Sequence, residues 1–138
     1  MPFRYLLKND DLYIPNSIVS KDIFLKQNDL ITPAVTSLEN IGKIAVINKD
    51  LPNVIIGGFV YIMRPYLNNY YFSMMIMYFM SSPMFLNKMI SIAKKSGQAF
   101  YNMNKEKLKN LILPIPQANE IKLLVIKINH LFELIDSN

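Results

Sequence analysis

The chain has 138 residues, of which 51% are hydrophobic and 18% charged, and it contains no cysteine. This length and composition indicate one globular domain with a single core and exclude disorder over most of the chain, while the lack of cysteine excludes disulfides, thiolate zinc sites and cysteine nucleophiles. The formal net charge is +5, and the window 88–109, with its six lysines and Glu106, accounts for this excess.

Such a local basic surface indicates a polyanionic partner, either nucleic acid or an anionic membrane, and the plain alternative is a solvated face. No secretory signal is visible at the start of the chain. We therefore expect the protein to act in the cytoplasm.

The first half of the chain is typical of strands. The β-branched run at 41–47 predicts a buried strand, and a second strand is predicted at 54–65, with Gly57-Gly58 forming a bulge inside it. The second half has helical periodicity. It predicts one helix from about Asn69 to Met80 and another from Pro83 to Lys95, in which the methionines fill the core.

Residues 65–87 carry no charged side chain, so a membrane-spanning helix is the alternative here. Polar residues interrupt the apolar run, and Ser82-Pro83 is typical of an N-cap followed by proline at the first helical position. We therefore predict two consecutive helices of a soluble domain, the second ending at a Gly97 cap.

A final helix is predicted from about Gln117, because Pro114 and Pro116 prevent an earlier start. Its apolar residues form an a/d seam and spread beyond it, which predicts packing both on its own domain and on a partner helix. The seam residues are Ile121, Leu124, Ile128, Leu131 and Ile135. The predicted fold class is thus α/β (α+β), with a small twisted mixed sheet in the N-terminal half, helices in the C-terminal half and a long heptad-patterned helix at the end.

Two constellations have the residue types that read DNA. The first is a polar loop whose candidate contacts are Thr36, Ser37, Asn40 and Lys43; an exposed hairpin turn is the alternative reading. The second follows the predicted second helix, where lysines attract phosphate, Gln and Asn can bond adenine bidentately, and tyrosine can stack. Its candidates are Lys94, Lys95, Ser96, Gln98, Tyr101, Asn102, Lys105, Lys107 and Lys109.

The order of these motifs resembles the specificity subunit of type I restriction–modification systems. That family has a glycine-aspartate-isoleucine-leucine strand, matched here from Asp29, then a glycine-lysine-x-alanine strand, matched at Gly42. A Ser-Gly loop follows, matched at Ser96, and then the Leu111-Ile112-Leu113-Pro114-Ile115-Pro116 linker before a spacer helix. Asn28 stands where glycine is commoner, residues 98–101 are larger than usual, and Ile121 replaces the glutamine of a Glu-Gln pair.

The resemblance covers residues 23–138 and implies a target-recognition domain at 1–116, lacking part of its N-terminal strands, with a spacer helix at 117–138. The implied partners are double-stranded DNA, the methyltransferase subunits and, indirectly, the restriction subunit, with homodimerisation through the last helix and no membrane. The implied chain is non-catalytic and holds no cofactor or metal. S-adenosylmethionine, ATP and Mg²⁺ would belong to the partner subunits.

The sequence contains no phosphate-binding glycine loop, no Asn-Pro-Pro-Tyr tetrad and one histidine, His130. Three alternatives remain open: a membrane-associated protein using the apolar region 65–93, a stand-alone basic DNA-binding domain, and a small enzyme using carboxylates. The candidate carboxylates are Asp10, Asp11, Asp22 and Asp29.

Overall fold

A computed structural model describes residues 12–137. Six short strands, four α-helices and three single 3₁₀ turns make up this part of the chain. The strands are β1 (Leu30–Pro33), β2 (Val35–Thr36), β3 (Ala45–Val46), β4 (Val60–Met63), β5 (Ala93–Ser96) and β6 (Phe100–Met103). The helices are α1 (Tyr70–Met80), α2 (Pro83–Ile92), α3 (Lys105–Lys109) and α4 (Ala118–Asp136), and the 3₁₀ turns are Asn16–Ile18, Lys21–Ile23 and Leu38–Asn40.

The mixed α/β class is confirmed, with sheet in the N-terminal half, helices in the C-terminal half and a long helix at the end. The sheet itself differs from the prediction. Two three-stranded sheets are present, in the orders β3-β1-β4 and β2-β6-β5, and every pairing in them is antiparallel. The prediction of a single mixed sheet is therefore wrong: β2 pairs with β6, which is distant in the sequence, and these strands form a second sheet with β5.

Ala34 joins the two sheets. It lies between β1 and β2, is 4% exposed, and donates its N–H to the carbonyl of Phe59 at 2.7 Å. Its own carbonyl accepts the N–H of Met103, also at 2.7 Å. One buried residue therefore bonds to the segment entering β4 and to the end of β6, and a buried peptide group with both bonds made is costly to displace.

The core is rich in methionine, as predicted. Met77 and Met89 are fully buried, and Phe85 lies among them at 0% exposure. Unbranched thioether side chains adapt to irregular gaps, which suits a core shared by short elements. The same cluster includes Met103 from β6 and Val125 from α4. The second sheet and the last helix thus share one core.

The N-cap predicted for α2 at Ser82 is confirmed, and α1 begins next to Asn69, where its start was predicted. Asn69 Oδ1 accepts the N–H of Phe72 at 3.1 Å, and Ser82 Oγ accepts that of Phe85 at 3.4 Å with Pro83 at the first helical position. The two helices are separated at Ser81 and Ser82. Within residues 12–137, no helix has both the length and the apolar character that a membrane crossing requires.

The predicted end of the second helix is wrong. α2 ends at Ile92, and 93–96 form β5 instead of a last helical turn. Gly97, with φ +67°, is therefore in the turn between β5 and β6 and is not a helix cap. Pairing of β5 with β6 satisfies backbone groups along both strands, and this outweighs the helical propensity of the two lysines.

The two predicted strands of the first half are shorter than expected. Within 41–47 only Ala45–Val46 is a strand, because the 3₁₀ turn and the left-handed Gly42, at φ +78°, precede it. The positive φ strains any residue with a side chain here, and a Cβ would lie 2.9 Å from Leu86 Cδ1, so the Leu86 side chain would have to shift. Within 54–65 the strand is Val60–Met63, and Gly57-Gly58 precede it instead of forming a bulge.

α4 packs on α1, as expected for a helix whose apolar residues spread beyond the a/d seam. Val125 is fully buried, the rings of Tyr78 and Phe132 stack with centroids 5.9 Å apart, and the Tyr78 hydroxyl donates to Asn129 Oδ1. Burial raises the pKa of the Tyr78 phenol above its ordinary value, so the hydroxyl stays protonated as a donor at neutral pH.

Candidate nucleic-acid interface

The second sheet joins one residue of the first predicted constellation to the second constellation. Thr36 of β2 is opposite Tyr101 of β6, and Tyr101 is opposite Lys95 of β5. One residue further along, Asn102 is opposite both Val35 and Lys94. Side chains directly opposite one another share a face of the sheet. Residues that are far apart in the sequence therefore lie side by side across β2, β6 and β5.

The two faces of this sheet differ in exposure. Phe100 and Asn102 alternate with Tyr101 and Met103 along β6; the first two are exposed, Tyr101 is half-buried and Met103 is buried. Lys94 and Ser96 lie on the exposed face with Phe100 and Asn102, since opposite residues share a face. Tyr101 packs against the main core, so its ring is less available for stacking on a base than the sequence predicted.

The β5–β6 hairpin presents its polar side chains without internal partners. Gln98 is exposed in the turn that follows Gly97. Within residues 12–137, the side chains of Lys94, Gln98 and Asn102 form no hydrogen bond or ion pair. Residues 93–103 contain two lysines and no acid. The hairpin is thus a positively charged ribbon whose donors and acceptors are free to bind a ligand.

The loop that carries the first constellation is paired internally. Asn40 Nδ2 donates to Ser37 Oγ at 2.9 Å, Ser37 Oγ donates to Glu39 Oε1 at 3.2 Å, and Lys43 Nζ donates to Asn40 Oδ1. The carboxylate of Glu39 lies within this chain of bonds and would repel phosphate. The loop therefore flanks the hairpin as a weaker candidate for DNA contact.

The remaining lysine candidates lie on α3, directly after β6. Asn104 caps this short helix by accepting the N–H of Lys107 at 2.9 Å. Lys105 and Lys107 are exposed, and Lys109 pairs with Glu106 at 3.1 Å while its side chain remains 59% exposed. An exposed pair of this kind contributes less than about 1 kcal/mol, so it does not prevent Lys109 from binding phosphate.

Of the two candidate carboxylates in the described part of the chain, Asp22 is exposed and Asp29 is buried. The Asp29 carboxylate is 1% exposed and accepts two bonds at 2.7 Å from Arg64, one from Nε and one from Nη2. This bond and the charge of Asp29 raise the pKa of the Arg64 guanidinium further above its usual value. Asp10 and Asp11 lie outside the described residues. Across 12–137, no three His, Asp or Glu side chains are grouped as a metal site would need.

A cleft of about 300 Å³ lies between the 3₁₀ turn Leu38–Asn40, the end of α1, α2 and α4. Its floor is apolar, from Ile41, Met77 and Met80, and Phe132 closes one side. Glu39 and Lys43 stand at its polar rim. The cleft lies beside the internally paired loop.

Sequence reasoning omitted one exposed residue of this interface, Phe100, which is 58% exposed. The signal was present as alternation in the run Phe100–Met103, because a strand with buried Met103 and half-buried Tyr101 must turn Phe100 outward. Comparisons of the chain with protein-family models, curated proteins and solved structures gave no match.

Proposed function

We propose that this chain is the sequence-specific DNA-recognition subunit, or a half subunit or fragment of one, of a type I restriction–modification complex. It directs the methyltransferase subunits, and through them the restriction subunit, to the target. The observation that supports the proposal is the β2-β6-β5 sheet, in which Thr36 of the first group of candidates is paired with Tyr101 of the second group. The resemblance of the motif order to that family supplies the rest of the proposal.

The β5–β6 hairpin is the primary DNA contact in this proposal. The major groove of B-DNA is about 12 Å wide and admits a two-stranded ribbon. Lys94 and Lys95 would attract the phosphates, while Gln98 and Asn102 offer the amide geometry that binds adenine. The lysines of α3 would extend the phosphate contacts beyond the hairpin.

α4 serves as the pairing helix in this proposal. Leu131 and Ile135 of the seam are 58% and 69% exposed, and Leu124 is 38% exposed. These three side chains are available to a second helix, whereas Ile121 is 7% exposed in the chain's own core. Half a recognition subunit could bind a symmetric target when two copies pair. S-adenosylmethionine, ATP and Mg²⁺ then belong to the partner subunits, in the cytoplasm.

The decisive experiment is co-purification of the full chain with the type I modification subunit of its host, followed by methylation mapping of plasmid DNA. Methylation at one defined, symmetric motif is the expected result. A stable complex that methylates nothing would limit the chain to an incomplete recognition unit. Failure to form any complex would contradict the proposal and favour a stand-alone DNA-binding or a membrane-associated protein.

A further inference from the structure

Phe100 is an apolar side chain in an otherwise polar, basic surface. It is 58% exposed, directly opposite Ser96, and on the face that carries Lys94 and Asn102. We propose that its ring contacts the C5-methyl group of a thymine in the major groove and so selects thymine at one position of the target. This inference rests on the proposed function and adds a residue that specifies sequence without a hydrogen bond.

Charge complementarity identifies the occupant of this face. Lys94 lies on this face, Lys95 lies on the opposite face of the same strand, and no acid occurs within 93–103. Such a basic ribbon attracts the phosphates that border a groove. An acidic protein surface would satisfy the lysines as well. It would leave the free amides of Gln98 and Asn102 without the base edges that suit them.

The chemistry of the groove then selects the base. A phenyl ring donates and accepts no conventional hydrogen bond, so it gains only where it covers an apolar group. The thymine methyl is the apolar group that base pairs present in the major groove. Burying one such methyl group contributes about 0.8 kcal/mol, which corresponds to about a fourfold change in affinity.

The spacing along β6 agrees with simultaneous base contacts. Phe100 and Asn102 are two residues apart on one face, and a strand rises about 3.3 Å per residue. Their side chains are therefore separated by about 6.6 Å, close to two steps of about 3.4 Å along one DNA strand. Asn102 on an adenine and Phe100 on a thymine about two steps away would be read together.

The test replaces thymine by uracil, which removes the methyl group and keeps every hydrogen-bonding group. Target duplexes are first selected from random DNA with the full chain, alone and with the modification subunit. Binding is then measured on the selected duplex with uracil at each thymine position in turn. We expect one position at which uracil weakens binding about fourfold.

Variants assign that effect to the ring. Phe100→Ala should weaken binding to the thymine duplex by a similar factor and make the protein indifferent to uracil at that position. Phe100→Leu should retain part of the discrimination, because it still offers apolar surface. Tyr66→Ala is the matched control, since Tyr66 is fully exposed in the loop before α1 and outside the sheet; this variant should keep the full uracil penalty.

Each contrary result is distinct. A selected target without an A·T pair, or one in which no uracil weakens binding, overturns the inference and leaves the proposed function intact. Equal loss on thymine and uracil duplexes for Phe100→Ala also overturns it, and indicates a ring that wedges between bases or supports the hairpin. If no sequence is selected from random DNA, the proposed function and the inference fail together.

Discussion

At the scale of single residues, Asn28 holds the backbone in a conformation that favours glycine. Its φ is +71°, in the left-handed region. Its N–H donates to Ile47 at 2.8 Å, and its carbonyl accepts the hydroxyl of the buried Ser73 at 2.8 Å. The side chain donates to Asn68 at 2.6 Å, but its buried Oδ1 has no partner within the described residues. Glycine adopts this conformation without a steric cost.

We predict that Asn28→Gly is neutral or stabilising, whereas Asn28→Ala is destabilising. Glycine removes the left-handed strain and the unsatisfied oxygen, gains that together exceed the single side-chain hydrogen bond lost, worth about 1 kcal/mol. Alanine keeps the strain, at a cost of about 1–2 kcal/mol. Urea denaturation of both variants measures the difference. A glycine variant less stable than the alanine variant would show that the Asn28–Asn68 bond, and not the backbone, determines this position.

At the scale of elements, the proposed DNA contact assigns phosphate binding and base recognition to different residues of the β5–β6 hairpin. Lys94→Ala should weaken binding to all sequences alike and reduce the slope of log affinity against log salt by about one unit. Gln98→Ala should change preference at one base pair, at a cost of about 1–3 kcal/mol if its contact is bidentate. Binding across target variants and salt concentrations measures both effects.

A control lysine lies beyond the other end of β1. Lys49 is exposed and follows β3. Val46 of β3 pairs with Leu30, the first residue of β1, whereas β2 follows the last residue of β1, so Lys49 lies at the end of β1 away from the second sheet. Lys49→Ala should leave the salt slope unchanged. If Lys94→Ala and Gln98→Ala act identically on every sequence, the division between phosphate-binding and base-contacting residues is wrong.

The sequence was sufficient for elements whose signals are local, and insufficient where pairing partners lie far apart in the chain. Ser82 predicted the start of α2 because this cap bonds within its own first turn, and helical periodicity predicted the start of α1 near Asn69. The end of α2 was missed, since its competing structure depends on β6. The contact of Thr36 with Tyr101 was missed for the same reason. The sequence therefore supplied candidate residues for the interface, but not the pairing of Thr36 in β2 with the β5–β6 hairpin.

At the scale of the whole molecule, α4 has one face in the core and a second apolar face in solvent. Val125 is fully buried, whereas Leu131 is 58% exposed on the same helix. Exposed apolar residues in a row of heptad spacing are typical of a helix that binds another helix. The predicted seam is thus divided, with Ile121 in the fold and Leu124, Leu131 and Ile135 outside it.

We predict that Leu131→Glu prevents self-association without reducing the stability of the fold, because it places charge in the helix pair and removes nothing from the core. Val125→Ala should instead reduce the free energy of unfolding by about 2 kcal/mol, through lost burial and a residual cavity. Sedimentation velocity over a range of concentrations and thermal unfolding distinguish the two effects. A Leu131→Glu chain that still associates would exclude this face of α4 as the contact.

The two bonds made by Ala34 have a geometric consequence for a target with two halves. They fasten the junction between β1 and β2 to the segment entering β4 and to the end of β6, and Met103 of β6 shares a core with Val125 of α4. Residues 104–117 connect the hairpin to the helix that would join two copies, and Leu108, Leu111 and Leu113 of this segment pack against the same core. In such a pair the distance between the two hairpins is set by the folded chains, and this distance fixes the number of base pairs between the half-sites. A target lengthened by one base pair would then rotate one half-site away from its hairpin, whatever its sequence.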